Sequence, residues 1–211
     1  MVSPMVSVII INYNGKNYLK NCLEHVLASD YDSFEIIVVD NGSKDGSSEL
    51  VEQIANRTDR KIILLTNPTN IGLGKAQNQA TKLASGKIFA FLDNDTKPDS
   101  KWLREAVKLF ENPRIGAVQC KLLLDGKDGV IDSIGSYLGV GFLVHRVPPS
   151  RVKDTSQFSN VDEIFSTKGA AMLVRKKVFE EIGGFDPDYF LYEEEMDLCW
   201  RIWLAGYKIF L

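Results

Sequence analysis

The sequence predicts an α/β fold: a Rossmann-like, mostly parallel sheet flanked by helices, with a smaller subregion attached. Three observations carry this. Four short apolar runs rich in β-branched residues occupy the first 92 residues, a pattern typical of strands buried on both faces. Segments with helical spacing separate them, and strand–helix alternation with short connections requires parallel strands and right-handed crossovers. Each run ends in a polar loop, and such sheets bind ligands outside the carboxyl ends of their strands.

The elements follow in order. Val6 to Asn12 is a continuous β-branched run and predicts the first strand. From Asn17 to Ser29, Leu19, Cys22, Leu23, Val26 and Leu27 recur at helical spacing. Phe34 to Asp40 reads as a second buried strand, and Ser47 to Thr58 as a helix with Leu50, Val51, Ile54 and Ala55 inward. Lys61 to Thr66 predicts a third strand. Gly74 to Ala84 predicts a third helix, with Gly86 as its C-terminal cap. Ile88 to Leu92 is the fourth strand. After Pro98 the pattern changes. Lys101 to Glu111 reads as an amphipathic helix and Ile115 to Leu124 as one strand. Residues 125–165, with Pro148-Pro149, read as irregular structure or short antiparallel strands. Ala170 to Val174 predicts a strand, and Lys176 to Ile182 a short helix ended by Gly183-Gly184. Glu194 to Leu204 predicts a last helix capped by Gly206. Residues 1–98 and 99–211 are read as two halves of one domain.

The 211 residues suffice for one sizeable core. With 45% apolar and 25% charged residues the composition is that of a globular protein. The balance of 25 basic against 28 acidic residues argues against nucleic acid as a partner. Cys22, Cys120 and Cys199 form no CxxC and read as reduced, mostly buried thiols of a cytoplasmic environment. With only His25 and His145 beside them, neither a zinc site nor a Ser/His/Asp or Cys/His nucleophile is expected. The run Val6 to Ile11 is too short, and lacks the basic flank, for a signal peptide. No stretch approaches the roughly 20 apolar residues that span a bilayer. Tyr207 to Leu211 reads as a strand without an exit, which predicts a longer parent protein.

The candidate chemistry sits on the strand-end loops. Asn12, Tyr13 and Asn14 follow the first strand, and Asp40 and Asn41 end the second. Asn70, Gly72 and Lys75 lead into the third helix. Asp93-Asn94-Asp95 follows the fourth strand. Two carboxylates two residues apart can share one hard cation, and such a cation retains waters and substrate phosphates. The same residues also favour turns and helix caps; their place on the ligand-binding rim favours a cation that grips a diphosphate. Neither GxGxxG after the first strand nor GxxxxGK[ST] is present, which disfavours a P-loop. A second acidic cluster, Glu193 to Asp197, opens the last helix, where acidic residues suit the macrodipole and Asp197 can pair with Arg201. Glu195, however, shares a face with Leu198, Cys199 and Ile202. A carboxylate on an apolar stripe has a raised pKa, the setting of a general base.

Together these motifs resemble a family 2 glycosyltransferase of the GT-A fold, over nearly the whole chain. The resemblance rests on Ser7 to Asn14, Val38 to Ser47, Asn70 to Asn78 and Phe91 to Asp95, followed by Gly169 to Arg175, Gly183 to Asp186 and Glu194 to Arg201. The last three are most similar to a rhamnosyltransferase-like branch. The resemblance implies an inverting transfer from a nucleotide-diphosphate sugar (UDP- or dTDP-linked) to a hydroxyl of a saccharide or lipid-linked saccharide, in polysaccharide or cell-wall biosynthesis. It implies that Tyr13 and Asp40 contact the nucleotide base. Asp93 would touch the ribose or the metal, and Asp95 would ligate Mg²⁺ or Mn²⁺. Gly169 and Ala170 would line the sugar and acceptor pocket, which makes residues 99–211 the acceptor side. Glu195 stands where the family has the aspartate of a Glu-Asp pair, the catalytic base, with Glu194 beside it. A cytoplasmic location is implied, with peripheral membrane association through a C-terminal part beyond this chain. Two rivals remain: a donor-binding fragment without turnover, and a nucleotidyltransferase. The latter needs a Gly-rich basic loop after the first strand, where this chain has Asn12-Tyr13-Asn14-Gly15-Lys16.

Overall fold

Alternate residues of the apolar runs face opposite sides of one sheet, and that alternation organises the chain. The computed structural model describes residues 4–140, 144–146, 151–156, 158, 160 and 162–211. Strands β1 (Val6–Asn12), β2 (Phe34–Asp40), β3 (Ile62–Thr66) and β4 (Ile88–Asp93) alternate with helices α1 (Lys16–Leu27), α2 (Ser47–Ala55) and α3 (Leu73–Thr81). Helix α4 (Trp102–Leu109) leads to β5 (Ile115–Gln119). Five short strands follow: β6 (Leu122–Leu123), β7 (Val130–Ser133), β8 (Ser136–Leu138), β9 (Val144–Arg146) and β10 (Val152–Lys153). The chain closes with β11 (Glu163–Ile164), β12 (Ala171–Arg175), α5 (Lys176–Glu181), α6 (Glu194–Leu204) and β13 (Lys208–Phe210).

The main sheet has the order β11-β13-β5-β12-β4-β1-β2-β3. β1 to β4 pair in parallel, as the strand–helix alternation requires. The second half departs from that pattern. β12 lies antiparallel between β4 and β5, β13 runs parallel to β5, and β11 runs antiparallel at the edge. β6, β7 and β10 form a separate antiparallel sheet, and β8 pairs with β9.

One face of the sheet packs Val8, Ile10, Ile36, Val38, Ala90 and Leu92 against α1, α2 and α4. The other packs Ile9, Ile37, Val39, Phe89, Phe91 and Met172 against α3, α5 and α6. A three-layer sandwich results, in which each fully buried Val, Ile or Phe side chain contributes about 1.5–3 kcal/mol. Beneath the end of β4, Phe91 meets Phe185 edge-on at 5.0 Å, and Phe179 meets both Phe89 and Phe185 at 5.4 Å. These rings pack the sheet face that meets α3, α5 and α6.

Two expectations change. α3 ends at Thr81, and Gly86 is no cap. It is glycine because the chain passes close over β1, where a Cβ would stand 2.6 Å from the Ser7 nitrogen. The strand expected over 115–124 is broken after Gln119, because Leu122 and Leu123 pair with β7 in the other sheet. Pro148-Pro149 lies outside the described residues. At the end of α6 the glycine reading holds. Gly206 is left-handed (φ +85°), its N–H donates to Trp203 O, and the N–H of Tyr207 donates to Ile202 O. Among the described residues no helix is long and apolar enough to cross a membrane.

Candidate active site

The register of the parallel strands places Asn12 beside Asp40, and Ile11 beside Asp93, at one edge. Asn12 is fully buried and acts as a joint. Its Nδ2 donates to Ser43 Oγ at 3.2 Å, and its Oδ1 accepts from Asn94 Nδ2 at 2.7 Å. Asn94 therefore turns inward, close above Gly15, where a Cβ would lie 2.3 Å from Asn94 Nδ2. Asn14 is left-handed (φ 52°), donates its N–H to Ser43 Oγ at 2.8 Å and accepts from Lys44 N at 2.9 Å. Asp40 is buried. It accepts from Ser43 N at 2.9 Å and from the Ser48 hydroxyl, which bends its own loop over the strand end.

Asn41 fastens the next loop. Its Nδ2 donates to Asn70 Oδ1 at 2.9 Å and Gly72 O at 3.3 Å, and its Oδ1 accepts from Asn67 Nδ2 at 3.0 Å and Ile71 N at 3.3 Å. Asn70 Oδ1 also accepts the Gly72 N–H at 3.0 Å. Of the residues expected to meet a nucleotide, Asn12, Asn41, Asn70 and Asn94 thus spend their side chains largely on the scaffold. Tyr13 (52% exposed), Lys75 and Asp95 face outward.

Asp93 is half-buried. Its N–H donates to Ala170 O at 3.0 Å, which ties the acidic triplet to the segment before β12. Burial, then Asp95, then Glu195 push its carboxyl up to about 6, against the pull of Lys168. Asp95 is exposed. Two mutually repelling carboxylates are a hard-oxygen donor pair that a divalent cation would relieve. Among the described residues no three His, Cys, Asp or Glu side chains are grouped to hold a metal alone. A cation here would take its remaining ligands from water and substrate, as Mg²⁺ commonly does. A cleft of about 1270 Å³ opens beside the pair, lined among others by Leu92, Gln119, Lys168 and Ala170.

The helix bearing the two glutamates corrects the sequence reading. Glu195 was expected on the inward stripe. Instead Glu194 is the buried one, at 3% exposure, in line with Leu198 and Ile202 four and eight residues on. Burial, with Glu195, Asp93 and Glu193 adding to it, raises the Glu194 carboxyl to about 7, and its Oε2 has no protein hydrogen-bond partner. Glu195 is half-buried and lies along Gly169, where an added Cβ would sit 3.8 Å from its side chain. The helix starts directly after Tyr192 and Glu193, both left-handed with φ of 69°. Asp197 pairs with Arg201 as expected, at 2.9 Å from Oδ2 to Nε. Arg201 also donates to the carbonyls of Ile182 and Gly184 at 2.8 and 2.7 Å, anchoring α6 to the glycine turn.

Lys168 escaped the sequence reading. Its N–H donates to Gln119 Oε1, its Nζ pairs with Asp132, and its charge acts on Asp93. Only its place directly before Gly169-Ala170 signalled it.

Residues 7–183 match the family model for glycosyl transferase family 2. Over 217 aligned residues the chain is 30% identical to the O-antigen biosynthesis protein RfbC of Myxococcus xanthus, covering 98% of this chain and 16% of that protein. The mannosyltransferase PcManGT from Pyrobaculum calidifontis, solved with GDP-Man and Mn²⁺, superposes with a TM-score of 0.76 at 23% identity, over 99% of this chain and 55% of that one. GalNAc-T7, solved with UDP, GalNAc and Mn²⁺, gives a TM-score of 0.75 at 18% identity, over 98% of this chain and 42% of that one. At those identities the two structures establish the fold. The chain spans less than two thirds of each of these proteins.

Proposed function

The chain belongs to glycosyl transferase family 2, and on that premise we propose that it transfers a hexosyl or rhamnosyl unit, with inversion, from a nucleotide-diphosphate sugar to a hydroxyl of a saccharide or lipid-linked saccharide. One observation carries this reading. The Asp93/Asp95 turn and the Glu194/Glu195 helix start, about 100 residues apart in sequence, meet at one end of the sheet across Gly169-Ala170: the Asp93 N–H donates to Ala170 O at 3.0 Å, and a Cβ on Gly169 would sit 3.8 Å from the Glu195 side chain.

Tyr13 and the Asp40 loop would hold the nucleotide base, and Lys75 would face the donor from α3. Asp93 and Asp95 would hold Mg²⁺ or Mn²⁺, which when bound offsets the negative charge of the departing diphosphate as a Lewis acid. Glu195 takes the proton from the acceptor hydroxyl as that oxygen attacks the anomeric carbon. The bond to the diphosphate breaks, and its electron pair leaves with the diphosphate. Gly169, without a side chain, leaves Glu195 room beside the acceptor. With its pKa raised to about 7 by burial, the Glu194 carboxyl is about half protonated at neutral pH, which lessens the negative charge it brings to the site.

Glu195→Gln keeps the shape and removes the base. Nucleotide diphosphate affinity should persist while transfer falls about 10²–10⁴-fold, the usual range for general-base help. The assay is nucleotide release from UDP-, dTDP- and GDP-sugars in the presence of methyl glycosides. Glu194→Gln serves as the control, because a group titrating near 7 is itself suited to base work. Unchanged turnover in Glu195→Gln with loss in Glu194→Gln would move the base to Glu194. Binding without release in every combination would favour the donor-binding fragment.

A further inference from the structure

Two contacts hold Lys168 in place. Its N–H donates to Gln119 Oε1, and Gln119, buried at the end of β5, donates from Nε2 to Ala171 O at 3.1 Å. Its Nζ pairs with Asp132 of β7, a strand of the separate small sheet. The next two residues reach the acids of the site. A Cβ on Gly169 would sit 3.8 Å from the Glu195 side chain, and Ala170 O accepts the Asp93 N–H at 3.0 Å. Lys168, Asp132, Asp93 and Asp95 line one cleft. Among the described residues the ammonium bonds only Asp132, which occupies one of its three N–H donors.

A lysine in this place has two opposite effects. Asp93 and Asp95 attract a divalent cation, and a fixed positive charge on the same cleft repels it. The same two carboxylates repel a diphosphate, and the lysine attracts it. We infer that Lys168, held in place by Asp132, tunes the site against a bare cation and in favour of a nucleotide diphosphate. This inference rests on the metal and nucleotide readings of the rim and adds to them the charge that sets their balance. The alternative is a plain tie between β7 and the segment before β12. The cleft's other lysines Lys97 and Lys121 make ties of that kind, with Asp125 at 2.6 Å and Asp154 at 2.8 Å. Lys168 differs in its neighbours: its charge acts on Asp93, against burial and the push of Asp95 and Glu195. A tie and a tuning charge also differ in sign. Cutting a tie weakens every ligand of the cleft, whereas removing a tuning charge strengthens one and weakens the other.

The test measures two dissociation constants on the full chain. One is for Mn²⁺ alone, from the electron paramagnetic resonance of the free ion. The other is for UDP, dTDP or GDP at saturating Mn²⁺, by calorimetry. Lys168→Gln should bind Mn²⁺ about 3- to 10-fold more tightly and the nucleotide about 3- to 10-fold more weakly, the scale of one partly screened charge. Asp132→Asn should shift both constants the opposite way. The double variant, which removes one charge of each sign, should return both toward wild type. Lys168→Arg keeps the charge and its partner and should match wild type. The backbone bond from residue 168 to Gln119 survives all of these changes, and ligand-free melting temperatures check that the variants fold. Loss of both affinities in Lys168→Gln, or a change in neither, overturns the inference alone and leaves a tie. So does a double variant worse than both single ones. A wild type whose nucleotide affinity is the same with Mn²⁺ and with EDTA removes the metal reading beneath it, and one that binds no nucleotide removes the donor reading.

Discussion

Glu194 is 3% exposed with an unpartnered Oε2, whereas Glu195, one residue on, is half-buried along Gly169. That difference has a consequence for stability. The folded protein keeps the Glu194 proton up to about pH 7, while the unfolded chain releases it near the ordinary value of 4.5. Between those values the folded state binds more protons, so stability falls as pH rises through the window, by on the order of 3 kcal/mol. Glu194→Gln cannot ionise and should escape that loss. Urea unfolding should find the variant close to wild type at pH 4.5 and clearly more stable at pH 8; an equal gap at both values would refute the burial of an ionisable group there. Both glutamates were nameable from the sequence, but not their order of burial. Adjacent helical residues differ by 100° around the axis, and the apolar stripe suits both: Leu198 and Ile202 lie four and eight residues after Glu194, and three and seven after Glu195.

At the scale of elements, Glu35 shows what binds the opening strands together at the end away from the site. Its Oε1 accepts from Ser7 Oγ at 2.8 Å and from Ser85 N and Oγ at 2.7 Å, and its Oε2 from Lys61 Nζ at 2.6 Å. One carboxylate thus joins β1, β2, the approach to β3 and the turn before β4. Burial alone would raise its pKa, but the bonds from Lys61, Ser85 and Ser7 outweigh burial and hold it down to about 2. This stabilisation is present above the ordinary 4.5 and is lost as pH falls toward 2. Glu35→Gln should therefore cost about 2–3 kcal/mol at pH 7, with the gap to wild type closing in acid, while nucleotide binding at the opposite edge survives. Denaturant curves at pH 7 and pH 3 give the comparison: with a folded-state value of about 2, roughly half of the gap should be gone at pH 3, and an undiminished gap there would assign the cost to shape instead of charge. β1 to β4 were legible because strands buried on both faces read as unbroken β-branched runs. Between residues 125 and 165 short antiparallel strands were one of the two readings and are what forms, but their positions were not legible, since they are two to four residues long and take their register from distant partners.

For the whole molecule, the decisive property is that the rim exists only in the folded chain. Asn12 and Asn94, 82 residues apart, share a hydrogen bond there, and Tyr13, Asp40 and Asp95 come from three separate loops. A ligand that needs all three loops binds the native state and not the unfolded one. At about 100 times its dissociation constant it should stabilise folding by about 2.7 kcal/mol. For a chain of this size that raises the melting temperature by about 5–10 °C. The mutual repulsion of Asp93 and Asp95 implies that most of the gain requires a cation, because a diphosphate brings further negative charge to the same place. UDP, dTDP and GDP should each be run with Mn²⁺ and with EDTA; a shift for one nucleotide that EDTA abolishes is the expected result and identifies the donor base. Asp95 is exposed, so Asp95→Ala should leave the ligand-free melting temperature within about 1 °C, as surface substitutions usually do, and remove the Mn²⁺-dependent shift. A full shift retained in Asp95→Ala would show that the triplet caps a turn and holds no metal.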